Sequence, residues 1–153
     1  MELYKEIITY TTDETEAVGR ALASEIVASA TLPRFIAMEG DLGVGKTVFV
    51  RGFTSAVSPG SAVRSPTFAL VNEYRKGSVP VFHFDMYRIN DDDELYSIGF
   101  YDYLADKRAI CLVEWSENIS YAFPREYFKV SIEKNNSENT DERLIRIYLE
   151  KVN

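Results

Sequence analysis

The sequence predicts an α/β fold: a three-layer sandwich with central parallel strands, antiparallel additions and a C-terminal β-hairpin. Three observations carry that prediction. Segments with strand and helix character alternate through the first half of the chain. Short, wholly apolar runs, "RFIAMEG" and "AICLVEW", have the pattern of strands buried on both faces. Two alternating segments near the end flank a polar loop, as in a hairpin.

Taken in order, "LYKEIITY" (3–10) alternates and predicts a first strand. Thr11 followed by Glu14 makes a capping box, and Val18, Ala21, Leu22 and Ile26 then recur at helical spacing. "RFIAMEG" (34–40) predicts a central strand ending in glycine, and "GKTVFVRGFTSAV" (45–57) a helix. "TFALVNEY" (67–74) and "SVPVFHFDMYRI" (78–89) predict two strands joined through "RKGS". "DDDELYSIGFYDYLA" (91–105) predicts a helix broken at Gly99, followed by a short second turn. "AICLVEW" (109–115) predicts another buried strand, and "YFKVSIEK" (127–134) with "RLIRIYLEK" (143–151) the closing hairpin. No repeat, low-complexity tract or linker divides the chain, so residues 1–153 are expected to form one domain.

Composition narrows the class of function. Hydrophobic residues make up 46% and charged residues 27%, the balance of a soluble globular protein. The mixed charge of the N-terminal segment predicts no signal peptide, no apolar run suits a bilayer, and the single Cys111 has no internal disulfide partner. A cytoplasmic location is expected. The net charge of −7 opposes autonomous binding of RNA or DNA, which rests on neutralising phosphates. A small basic patch around Arg51, Arg64 and Arg88 stays open. The acidic run Asp91, Asp92, Asp93 and Glu94 reads as a solvated helix N-terminus.

Gly40, Gly45, Lys46 and Thr47 in "EGDLGVGKTVFVRGF" stand in the spacing G-x-x-x-x-G-K-[ST], between a predicted strand and a predicted helix. Backbone N–H groups of the loop Asp41, Leu42, Gly43, Val44 and Gly45 can turn inward as an anion nest at the positive end of the helix. Lys46 then meets the β- and γ-phosphates of a nucleotide, and the Thr47 hydroxyl ligates Mg²⁺. The fold is therefore expected to be P-loop NTPase-like. No N-K-x-D guanine signature is present, which favours ATP.

Hydrolysis needs a further carboxylate at the metal and a group that orients water. Asp85 in "VFHFDMYR" and Glu114 in "ICLVEWSE" end apolar runs, where α/β folds place ligands. Glu114 is the better match to a metal site, Asp85 to water positioning; a salt bridge, with Arg88 for instance, is the alternative for either. Thr67 in "SPTF" follows Pro66 and could present its hydroxyl as a switch, or simply begin a strand. Trp115 could stack on a base or partner, or lie half-buried at a strand end. His83, the only histidine, reads as packed core or surface rather than catalytic, and Cys111 as inert.

"GDLGVGKTVFVRGF", "SPTFALVNEY", "HFDMYRI", "DELYSIGFYDYL" and "LVEWSEN" together resemble the TsaE (YjeE) family, from about Thr15 to Glu117. The C-terminal hairpin fits that family in kind but not by motif. The resemblance implies a small ATPase that supports threonylcarbamoylation of N6 of adenosine 37 in tRNAs reading codons that begin with A. It implies action on a complex of the transferase TsaD with TsaB, with tRNA met only indirectly, and neither DNA nor membrane as partner. It makes Lys46 and Thr47 the phosphate and Mg²⁺ residues, Glu114 a further metal ligand and Asp85 the acid needed for hydrolysis. Thr15 and Trp115 match family positions near the nucleotide. Two rival classes are a small-molecule kinase, for which segment 116–126 offers one arginine, and a non-hydrolysing nucleotide-dependent assembly factor.

Overall fold

A computed structural model describes residues 1–41, 43–136 and 138–152 of the chain. Its seven strands are β1 (Glu2–Thr9), β2 (Phe35–Glu39), β3 (Val71–Tyr74), β4 (Val81–Asp85), β5 (Ile110–Glu114), β6 (Tyr127–Lys134) and β7 (Arg143–Glu150). They form one sheet in the order β1-β7-β6-β2-β5-β4-β3. The four central strands β6, β2, β5 and β4 are mutually parallel, while β1 on β7, β7 on β6 and β3 on β4 pair antiparallel. The predicted α/β architecture and C-terminal hairpin are both present.

The helices are α1 (Thr12–Ala28), α2 (Lys46–Val57), α3 (Asp92–Ser97) and α4 (Phe100–Leu104), with a 3₁₀ segment at Ser116–Ala122. Alternation along the buried strands divides their side chains between two cores. Ile36, Met38, Leu112, Val130 and Ile147 pack with Leu22 and Ile26 of α1 and with Phe49 and Phe53 of α2. On the other face Phe35, Ala37, Phe84, Cys111 and Val113 pack with Leu95, Phe100 and Ile119. Burial on both faces explains why "FIAME", "VFHFD" and "ICLVE" carry so little polar pattern.

Local chemistry sets the helix starts. The Thr11 hydroxyl accepts from Glu14 N at 3.1 Å, and the Glu14 carboxylate accepts from Tyr10 N at 2.9 Å. The buried stripe of α1 is Thr15, Val18, Gly19, Leu22, Ala23 and Ile26. Ala21, expected on that stripe, is exposed, because the stripe runs through positions three and four apart that exclude it. Asp91 caps α3 by accepting from Glu94 N at 2.9 Å, so the acidic run does open a helix. Gly99, at φ 82°, turns the chain between α3 and α4.

Helices α1 and α2 cross backbone to backbone. A Cβ on Gly52 would stand 2.0 Å from Glu16 O, and one on Gly19 2.3 Å from Phe49 O. No other residue fits either position without moving a helix.

Two predicted strands are shorter than expected. Residues 67–70 form a turn, with Leu70 at φ 67° and Leu70 N donating to Pro66 O at 2.9 Å, so β3 starts only at Val71. Strand β4 starts after Pro80, which has no N–H to give, and stops at Asp85. Beyond it Ile89 N donates to Met86 O at 3.2 Å in another turn.

Candidate functional site

The G-x-x-x-x-G-K-T stretch connects the C-terminal end of β2 to the first turn of α2. Gly40, Gly43 and Gly45 adopt φ of 148°, 79° and 104°, and Gly45 is the N-cap of α2. The loop thus reaches its shape through backbone angles that side chains resist. The first N–H groups of α2 have no intrahelical acceptors and lie at the positive end of the helix dipole. Leu42 lies outside the described residues. Asp41 is exposed and Val44 buried.

A cavity of about 500 Å³ opens over this helix start. Gly43, Gly45, Lys46, Thr47, Thr67, Asp85, Glu114 and Trp115 line it, together with Val48, Ser65, Tyr87 and Arg88. Eight residues assigned to the nucleotide site from the sequence, drawn from four separate segments, therefore face one space. Gly40, Asp41 and Val44 border a second cavity of about 580 Å³, whose other wall is Ser131–Lys134. Thr15 lines neither; it is buried in α1, with its hydroxyl 2.7 Å from that of Thr9.

The side chains in the main cavity are held individually. Lys46 is buried, donates from Nζ to Gly40 O at 2.7 Å and lies 4.2 Å from the centre of the Trp115 ring. Asp85 and Glu114 are 6% and 4% exposed, so both carboxylates reach the cavity from buried strand ends. An Asp85 carboxylate oxygen accepts from Tyr87 N at 2.9 Å. Glu114 is hydrogen-bonded through Oε2 to His83 Nε2. Among the described residues neither acid pairs with Arg88, whose guanidinium instead lies 5.1 Å from the Phe68 ring centre. Of the other arginines weighed as a basic patch, Arg51 pairs with Glu16 at 3.1 Å, and Arg64 is exposed.

Trp115 has φ 55° and ψ 40°, a left-handed conformation that costs a bulky residue about 1–3 kcal/mol. The conformation turns the chain sharply after Glu114, with the ring between Lys46 and Tyr87, 4.9 Å from the latter. The Thr67 hydroxyl is 2.9 Å from that of Ser65.

Besides Val48 and Ser65 in the cavity wall, three residues at the site had no assigned part in it in the sequence reading. His83 is fully buried, as expected for a core residue, but its partner is Glu114. The signal was present in "HFD", since residues two apart on a strand share a face and His83 stands beside Asp85. Tyr87 lines the cavity. Arg143, at the start of β7, donates from Nε to Val44 O at 2.6 Å, tying the hairpin to the phosphate-loop backbone 99 residues away.

The family model described as "Threonylcarbamoyl adenosine biosynthesis protein TsaE" matches residues 9–145. The chain belongs to the TsaE family. The match extends past the motif-bearing stretch into β7 and takes in Arg143. Two proteins named "tRNA threonylcarbamoyladenosine biosynthesis protein TsaE" illustrate the distance to other TsaE members. The one from Bacillus subtilis (strain 168) is 35% identical over 126 residues, 82% of this chain and 75% of its own. The one from Aquifex aeolicus (strain VF5) is 39% identical over 119 residues, 76% of this chain and 80% of its own. The crystal structure of Bacillus subtilis YdiB superimposes with a TM-score of 0.72 at 28% identity, covering 98% of this chain and 88% of that one. This TsaE chain and that neighbour share the P-loop NTPase-like α/β architecture.

Proposed function

We propose that residues 1–153 act as one ATPase domain that binds ATP with Mg²⁺ in the 500 Å³ cavity and serves tRNA threonylcarbamoyladenosine biosynthesis. One observation carries the reading: two buried carboxylates, Asp85 and Glu114, share a cavity with the cation of Lys46 and the hydroxyl of Thr47. Cation and helix start suit an anion; carboxylates beside them suit a metal ion that accompanies it. A hydroxyl and a carboxylate are donors that suit Mg²⁺, which is commonly held by one or two protein oxygens and completed by phosphates.

In this reading Gly43, Gly45 and the backbone of Asp41, Leu42 and Val44 form the phosphate cradle. Lys46 leaves the Gly40 carbonyl to offset phosphate charge, while Thr47 and Glu114 hold the ion. Bound Mg²⁺ supplies neutralisation of charge that develops on the phosphates. Asp85 orients and deprotonates water at the cavity wall. Thr67 acts as a switch hydroxyl and Trp115 contacts the nucleotide, while Thr15, packed against Thr9, has no part in the cavity.

The product of such a cycle is a change in a partner. Tyr87, which lines the cavity, is 57% exposed, and Phe68, next in sequence to the cavity-lining Thr67, is 85% exposed; exposed aromatic side chains are of the kind interfaces use. The partners we propose are TsaD and TsaB homologues, in the cytoplasm, with tRNA met through them; the charge of −7 works against a direct grip on tRNA. No helix among the described residues is long and apolar enough to cross a membrane.

Counting phosphate release tests this. The isolated protein should hydrolyse ATP slowly, and adding the TsaB–TsaD pair should raise the rate, as a completing partner does for other P-loop enzymes. Full activity without response to the pair would overturn the partnership, and transfer of phosphate to an added small acceptor would replace the ATPase by a kinase.

A further inference from the structure

Glu114 is connected to the segment that carries Thr67 by a chain of side chains, none of which lines the cavity before that segment is reached. His83 and Tyr74 are 0% and 6% exposed. The Glu114 carboxylate only accepts, so the proton of His83 Nε2 faces it, and the other ring nitrogen faces away. His83 Nδ1 lies 3.1 Å from the Tyr74 hydroxyl. That hydroxyl, its one proton toward Nδ1, accepts from Arg64 N at 3.4 Å, and Asn72 Nδ2 donates to Arg64 O at 2.9 Å. One residue further on, the Ser65 and Thr67 hydroxyls meet at 2.9 Å and both line the cavity.

A buried histidine with two partners can serve packing alone. Here one partner, Glu114, lines the cavity, and the other, Tyr74, holds the backbone of Arg64, one residue before the cavity-lining Ser65. Glu114 ends β5, and Arg64 opens the loop that returns to the cavity at Ser65 and Thr67. The strand β4 between them is buried, so no solvent separates the carboxylate from the Tyr74 hydroxyl along this path. Arg64 itself is exposed and held from below mainly by Tyr74 and Asn72.

We infer that His83 and Tyr74 are positioning residues that couple Glu114 to the 64–67 segment, so that nucleotide in the cavity and the placement of Thr67 bias one another. The inference rests on the nucleotide-binding reading above. With a triphosphate and its ion in the cavity, Glu114 would be held toward them; the His83 ring, bonded at both nitrogens, would be fixed with it, and Tyr74 would hold the Arg64 backbone.

The test uses the full chain, a non-hydrolysable ATP analogue or ADP with Mg²⁺, and trypsin, which cuts after the exposed Arg64. Cleavage after Lys76, also exposed, is the internal control. In the wild type the triphosphate analogue should slow cleavage after Arg64 by about fivefold or more relative to no nucleotide, the low end of ordinary site coupling. Tyr74→Phe removes one hydroxyl. It should bind the analogue about as tightly, judged by Trp115 fluorescence, yet lose the protection. His83→Gln keeps an amide toward Glu114 but does not reach Tyr74; whatever its affinity, it should lose the protection even when saturated with the analogue. Retained protection in Tyr74→Phe, or a wild type that binds the analogue without protection, would overturn the coupling. A wild type that binds no nucleotide overturns the underlying reading instead, and shows itself before any variant is made.

Discussion

Asp85 and Glu114 are register partners at the ends of adjacent parallel strands, β4 and β5, and Met86 N donates to the Glu114 carbonyl at 3.0 Å just beyond them. The pairing fixes two carboxylates side by side on rigid backbone, but they have different neighbours. Glu114 is braced by His83, and Asp85 by the backbone N–H of Tyr87.

That difference predicts separable defects. Glu114→Gln should weaken nucleotide affinity in Mg²⁺ more than in its absence, since a metal-bound carboxylate acts through the ion. Asp85→Ala should leave affinity largely intact while lowering partner-stimulated turnover by about 100-fold or more, the usual scale of a lost general base. Calorimetry with and without Mg²⁺, paired with phosphate release, separates them; equal losses for Glu114→Gln in both conditions would make it a structural contact.

Lys46→Ala should cost about 10- to 100-fold in ATP–Mg²⁺ affinity, the loss of a charge-assisted contact worth about 1.5–3 kcal/mol. The ammonium rests on the Gly40 carbonyl and the Trp115 face and is not built into either apolar core, so the thermal midpoint should change little. Wild-type affinity in this variant would remove the phosphate-loop reading.

Gly52→Ala should destabilise the protein by about 1–3 kcal/mol, the scale of overpacking a rigid contact. The added methyl would overlap the Glu16 carbonyl, and relief requires α1 and α2 to separate. A shift of the urea midpoint without a change of slope measures it, and an unchanged midpoint would show that the two helices can separate at no cost.

Cys111 should resist alkylation in the folded protein. Burial in β5 pushes its thiol up to about 12, with Asp106 adding to the effect, so almost no thiolate forms at pH 8. Mass spectrometry after iodoacetamide should show one adduct in denaturant and none in native buffer. Because the folded value is raised, ionisation of this thiol opposes the folded state only as pH climbs past the ordinary thiol range, which leaves stability near neutrality unaffected.

The sequence by itself determined the features that depend on neighbours a few residues apart. The phosphate loop, the Thr11 and Asp91 caps, the apolar run that ends in Glu114, and the C-terminal hairpin all follow from local spacing and backbone preference, whereas the end of β4 at Asp85 does not. Tertiary structure decided what depends on register between distant segments. That His83 braces Glu114 across 31 residues follows from β4 lying beside β5, and that Arg143 grips Val44 follows from β6 lying beside β2. It also set where β3 begins, because the 67–70 turn is closed by Pro66 and by Asp85 N donating to Leu70 O at 3.1 Å. A local pattern states which residues can share a face; only the order of strands in the sheet states which faces meet.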